Sequence, residues 1–202
     1  MKGVLDVYLC RRLAGRLTQD EHGLTTFVYD AGWLAAPDAV PLSHSMPLRS
    51  EVFGRNECGA FFAGVLPESG KRSLIARNLG VSANNDYALL ERIGGDCAGA
   101  ITFIESGKPL PPEKGEYRLV RDAELEKFLL GLPVRPLMAG EAGVRLSLAG
   151  VQDKLAVRIM DGKVYLPLDG SPSSHILKPA IKEYPDVVQN EAFCMRLARA
   201  VG

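Results

Sequence analysis

Residues 144–159 read Val144-Arg-Leu-Ser-Leu-Ala-Gly-Val-Gln-Asp-Lys-Leu-Ala-Val-Arg-Ile159, and the fold turns on how this stretch is read. Apolar residues alternate up to Ala149, Gly150 interrupts them, and alternation resumes at Leu155. The pattern predicts strand, tight turn, strand, with Ser147, Gln152 and Lys154 gathered around the turn. A glycine at such a bend lets backbone N–H groups approach a bound anion that a side chain would hold off. A plain hairpin has the same pattern, so the residues downstream of Ile159 have to decide between the two.

Downstream, Asp161-Gly162 is a two-residue hairpin signal after the strand Leu155–Met160, and Lys163-Val-Tyr-Leu166 pairs back. Asp169-Gly170 turns again, and Ser174-His-Ile-Leu-Lys178 makes a further strand. Asp186 then suits a helix N-cap, with Gln189 three residues on as in a capping box. At about 100° per residue, Val187, Val188, Cys194, Met195 and Ala198 fall within roughly 60° of Glu191. Glu191 is therefore expected in an apolar stripe, where a carboxylate needs a cation, and Lys178 is the candidate.

Upstream, Leu5, Val7 and Leu9 alternate as an opening strand, Arg11-Arg12 and Gly15 suggest a turn, and Thr25-Thr-Phe-Val-Tyr29 is a second strand. Trp33 reads as a core anchor. Pro41 to Leu48 is extended, with Ser43 and Ser45 as turn residues. Three helices come next: one capped near Asn56 and stopped by Pro67, one from Lys71 to Leu79 ending at Gly80, and one capped within Ser82–Asp86 and ending at Gly94-Gly95. Ala100 to Ile104 returns as a strand. The Pro- and Gly-rich run 106–116 is a linker, and Asp122 caps a short helix beyond it.

Composition narrows the function classes. Lys+Arg and Asp+Glu both number 24 in 202 residues, so no global basic field drives nucleic-acid binding. Lys71-Arg72 with Arg77 reads as a solvated helix face. The 4 cysteines, Cys10, Cys58, Cys97 and Cys194, are far apart and fit reduced, mostly buried thiols, and the 3 histidines are scattered, so no metal site is expected. No apolar run reaches the ~20 residues of a membrane span, and the N-terminus reads as a strand, not a signal peptide. A cytoplasmic location is the default expectation.

A glycine turn between strands, a lysine on a later strand and a glutamate on the next helix follow the order of a protein-kinase small lobe. Neither Gly-x-Gly-x-x-Gly nor Gly-x-x-x-x-Gly-Lys-Ser/Thr is present. Ser147-Leu-Ala-Gly-Val-Gln-Asp-Lys154 resembles instead the glycine-rich loop of the HipA family, bacterial serine/threonine kinase toxins of toxin–antitoxin modules. His175-Ile-Leu-Lys178-Pro and Asn190-Glu191 with Leu197-Ala198 are similar to that family's next two blocks. Pro41-Leu-Ser-x-Ser-Met-Pro-Leu48, Phe61-Phe62 with Leu66-Pro67, and Ile93-Gly94 to Gly99-Ala100 resemble its N-terminal subdomain.

The expected fold is α+β. A mixed strand/helix subdomain spans 1–105, a linker with a short helix spans 106–140, and the start of a kinase domain spans 141–202, an antiparallel-sheet small lobe with one helix. The resemblance implies that Ala149, Gly150, Val151, Gln152, Asp153 and Lys154 cover the phosphates of ATP, that Lys178 holds them, and that Glu191 orients Lys178. It also implies autophosphorylation at Ser147, where about two added negative charges would push the loop away from ATP. Read without the family, Ser147 is a solvent-facing polar residue and Lys178 a surface lysine.

The resemblance further implies Mg2+ beside ATP, a protein substrate among translation factors such as aminoacyl-tRNA synthetases, and a small DNA-binding antitoxin as partner. The family's catalytic aspartate and magnesium ligands lie in a helical lobe with no counterpart here, so no catalytic residue is assigned in this chain and direct nucleic-acid binding is not expected. Two further readings stay open. Residues 1–105 would dock on a separate kinase chain or antitoxin as a non-catalytic, neutralising protein of a split system, or the glycine hairpin belongs to an ordinary α+β domain that binds nothing.

Overall fold

The computed structural model of the chain describes residues 3–97, 100–111, 115–144, 146–147, 152–169, 171–181 and 184–202. The opening alternation forms β1 (Gly3–Leu9), with Leu5 and Val7 fully buried. The chain reverses through Cys10 and Arg11, at φ of 47° and 67°, into β2 (Arg12–Gln19). Both residues of such a two-residue hairpin take positive φ, a role usually given to Asn and Gly, so Cys-Arg gives no turn signal. The turn expected from Arg11-Arg12 and Gly15 falls on Cys10-Arg11, and Gly15 is mid-strand. The glycine provides space, because a Cβ there would lie 2.5 Å from the Phe27 ring and closer still to the Val28 carbonyl.

β3 (Thr25–Tyr29) pairs with β2, and the sheet order is β3-β2-β1-β5, with β5 at Ile101–Glu105 and every pairing antiparallel. α1 (Ala31–Leu34) is capped by the Asp30 carboxylate, which accepts from the Gly32 N–H at 2.8 Å. It carries Trp33 into the core, where Nε1 donates to the Val40 carbonyl at 3.1 Å. The Tyr29 hydroxyl donates to the Met46 carbonyl at 2.6 Å and accepts from the Leu42 N–H at 2.8 Å, fixing the extended segment 41–48. Ser43 and Ser45 bond to each other at 3.0 Å, as turn residues do.

Three helices follow the extended segment. α2 (Arg55–Gly64) sets Phe62 at 5.5 Å from the Phe27 ring and 5.9 Å from Phe103. α3 (Ser69–Leu79) ends at Gly80, which adopts the left-handed φ of 68° that the sequence position suggests. α4 (Asp86–Ile93) is capped by the Asn85 side chain, which accepts from the Ala88 N–H at 3.0 Å. β4 (Asp96–Cys97) lies between α4 and β5.

The second sheet has the order β10-β8-β9-β6, again antiparallel. β8 (Leu155–Met160) turns through Asp161 and Gly162, at φ of 49° and 69°, into β9 (Lys163–Leu168), which is the hairpin read from sequence. β10 (His175–Leu177) lies on the other side of β8. The stretch 106–140 contains a strand as well as the expected helix. β6 (Glu116–Leu119) is the sheet's edge, and α5 (Asp122–Gly131) follows. Val120, Leu132, Leu137 and Met138 join the same core cluster as Leu5, Phe103, Leu155 and Val157.

Two further expectations are corrected in the C-terminal part. The strand before Gly150 does not hairpin onto β8. As β7 (Leu146–Ser147) it pairs in parallel with β4, Asp96 facing Leu146 and Cys97 facing Ser147. Both edges of β8 are already taken by β9 and β10, and alternation alone does not say which edge a strand seeks. The second correction concerns α6 (Val187–Val201), none of whose residues is buried, so Glu191 is exposed and so are Val188, Phe193, Met195 and Leu197. An amphipathic pattern marks the face that prefers burial; it does not show what covers that face. Asp186 is the N-cap of α6, but its side chain makes no capping bond.

The cysteines are all free thiols. Cys58 and Cys97 are buried, whereas Cys10 and Cys194 are exposed, so the expected burial holds for two of the four. Among the described residues no helix is long and apolar enough to cross a membrane.

Candidate functional site

Of the residues singled out from sequence, Ala149, Gly150 and Val151 lie outside the described residues. Ser147 is the last residue of β7, opposite Cys97. Gln152, Lys178 and Glu191 make contacts where the chain leaves β10 and enters α6, with Asp153 and Lys154 next to Gln152 in the chain. Lys178 directly follows β10, and its Nζ donates to Glu191 Oε1 in the second turn of α6. Their side chains are 33% and 48% exposed, so the attraction is screened by water and modest. The expected pair is present, although burial of Glu191 is not what holds it.

Residues 152 and 153 have contacts of their own. Gln152 Nε2 donates to the Pro179 carbonyl at 3.1 Å, which ties residue 152 to the residue after Lys178. Asp153 Oδ1 accepts from Lys71 Nζ on α3, with side chains only 17% and 24% exposed. Lys154 is buried, and its ammonium is held below the usual lysine range, first by burial and then by the positive charge of Lys178. Lys71 adds to that depression, and Asp153 and Glu68 oppose it. The ammonium groups of Lys71, on α3, and of Lys178, just after β10, thus both act on the charge of Lys154. An anion bound among them would relieve their mutual repulsion and favour the charged form of Lys154.

Lys71 is the functional candidate that sequence reasoning misses. Its neighbours suggest a solvated face shared with Arg72 and Arg77, but Lys71 pairs with Asp153, and Arg72 pairs with Asp86 and donates to the Ala83 carbonyl at 2.6 Å. Lys71 and Asp153 are 82 positions apart, and no local spacing rule reaches that far. Among the described residues no group of three or more His, Cys, Asp or Glu side chains could hold a metal ion.

Two family descriptions match the chain: the HipA N-terminal domain over residues 5–104 and the HipA-like C-terminal domain over residues 146–202. The Sinorhizobium fredii protein Y4mE is 46% identical over 98% of this chain and 48% of its own length. The serine/threonine-protein kinase toxin HipA of Shewanella oneidensis is 33% identical over 98% of this chain and 44% of its own length. The chain thus spans about half the length of these relatives. Among solved structures, a chain of the Shewanella oneidensis toxin–antitoxin complex of HipA, HipB and operator DNA aligns with a TM-score of 0.67 and 28% identity, over 86% of this chain and 40% of that one. The first description covers β1, β2, β3 and nearly all of β5, the second covers β8, β9, β10 and the Lys178–Glu191 pair, and the chain belongs to the HipA family.

Proposed function

We propose that this chain is the phosphate-binding half of a HipA-like serine/threonine protein kinase. The observation that carries the reading is the Lys178–Glu191 pair, which joins the end of β10 to α6 beside buried Lys154. In this reading Glu191 fixes the ammonium of Lys178 in place, and Lys178 and Lys154 meet the phosphate oxygens of ATP together with backbone N–H groups of residues 149–154. Magnesium-bound ATP supplies the γ-phosphoryl group and part of the charge neutralisation. The residues fit a polyanion, since Lys154 lies within reach of the charges of Lys178 and Lys71, each of which is already oriented by a carboxylate.

Chemistry also requires a group that accepts the hydroxyl proton and residues that hold the metal. We assign neither role in this chain. The whole kinase is proposed to act on a serine or threonine of a translation factor of the aminoacyl-tRNA synthetase class, in the cytoplasm. Because the Shewanella relative is found in a complex with HipB and operator DNA, a DNA-binding antitoxin is the proposed partner. Ser147 is the proposed site of autophosphorylation. Incubation with Mg-ATP and the complementary half of a HipA-like kinase, followed by peptide mass spectrometry, tests this reading. Phosphate on Ser147 is expected, and its absence with an otherwise active partner half would refute the assignment.

A further inference from the structure

Lys71 lies in the first turn of α3, within the N-terminal unit, whereas Asp153 follows the stretch that resembles the family's glycine-rich loop. Their pair is less exposed than Lys178–Glu191, at 24% and 17% against 33% and 48%, so solvent screens it less. On the other side of residues 148–151, β7 is held by its parallel pairing with β4, which also belongs to the N-terminal unit. The stretch is therefore tied to that unit on both described sides, once by backbone pairing and once by Lys71. Pro67 and Leu137 line the same small cleft as Lys71, Asp153 and Lys154, so the tether sits in a partly apolar setting.

We propose that Lys71 is a positioning residue for the phosphate site: through Asp153 it holds residues 152–154, and with them Lys154, against α3. The N-terminal unit then sets where a nucleotide would meet the lysines, and a displacement of α3 would be carried to residues 152–154. That link to nucleotide rests on the kinase reading above, whereas the tether itself does not.

The test is amide hydrogen exchange at residues 152–154 in the whole chain without nucleotide, for the parent, Lys71→Met, Asp153→Asn, the double variant, and the reversed pair Lys71→Asp/Asp153→Lys. Each single variant is expected to speed exchange there by roughly three- to ten-fold, with β1 and α4 unchanged. The double variant should match either single one, and the reversed pair should recover protection. If Lys71→Met does not fold, Asp153→Asn reads the same tether from the other side. Parent-like exchange in both single variants overturns the proposal, as do effects that add in the double variant or that spread equally to β1 and α4. Mg-ATP affinity should fall in Lys71→Met and recover in Lys71→Arg. A tether seen by exchange with no nucleotide binding in any variant, the parent included, would keep the tether and overturn the phosphate role.

Discussion

The two sheets bury their neighbours very differently. Around β3-β2-β1-β5, Phe27, Phe53 and Phe103 are fully buried, and the rings of Phe27, Tyr29, Phe53, Phe62 and Phe103 pack on one another at centroid distances between 4.9 and 6.2 Å. Beside β10-β8-β9-β6, α6 buries nothing, and Phe193 is 63% exposed. One core cluster runs from the first sheet to Leu155, Val157 and Leu166 of the second, whereas the side chains of Gln152, Asp153, Lys178 and Glu191 are engaged through ion pairs and a side chain–backbone bond. Of these contacts, Lys71–Asp153 is the one that reaches into the part of the chain that carries none of the proposed phosphate contacts.

The largest expected effect contrasts the two aromatic environments. Phe27→Ala should cost about 3–5 kcal/mol in urea unfolding, because it leaves a cavity beside the rings of Tyr29, Phe53 and Phe62. Phe193→Ala should stay within about 0.5 kcal/mol of the parent. Similar losses for both would mean that α6 is packed in solution and would remove the contrast.

A smaller effect comes from Tyr87 on α4, whose buried hydroxyl has no hydrogen-bond partner among the described residues. Burial raises its pKa above the usual tyrosine value, and Glu91 and Glu105 push it further in the same direction. A raised folded-state pKa contributes stability below the unfolded value of about 10, and that stability is lost as pH climbs above it. Tyr87→Phe should therefore be neutral or about 1 kcal/mol more stable near pH 7. Between pH 9 and 11 it should lose stability less steeply than the parent, as read by urea unfolding across that range. Parallel pH profiles would show that Tyr87 is solvated.

The smallest effect belongs to the exposed pair. A double-mutant cycle on Lys178→Ala and Glu191→Gln should give a coupling of about 0.2–1 kcal/mol in stability. A coupling near 3 kcal/mol would show that the pair is buried in solution, as the apolar pattern of α6 suggests.

Elements whose ends carry their own chemistry are legible in the sequence. Gly80 closes α3, Asn85 caps α4, and Asp161-Gly162 turns β8 into β9. β2 is hidden because Arg12 and Gly15, a close-packing residue, read as part of the turn that in fact lies at Cys10-Arg11. β6 is hidden in a stretch with linker composition, since Glu116–Leu119 is a short edge strand with no buried residue. The Lys178–Glu191 pair is legible from the order of strand and helix, although Glu191 is not the buried carboxylate that its apolar neighbours imply. The β4–β7 pairing and the Lys71–Asp153 contact join residues far apart in sequence, and periodicity has no access to them.

The central claim is that Lys154 and Lys178 form one wall of a nucleotide-phosphate site. Calorimetric titration of the chain with Mg-ATP, alongside Lys178→Ala, tests it most directly. Saturable binding to the parent is expected, with a loss of about tenfold or more in the variant, as when a charged partner of a phosphate is removed. Equal affinity in both chains, or no saturable binding to the parent at millimolar nucleotide, would contradict it.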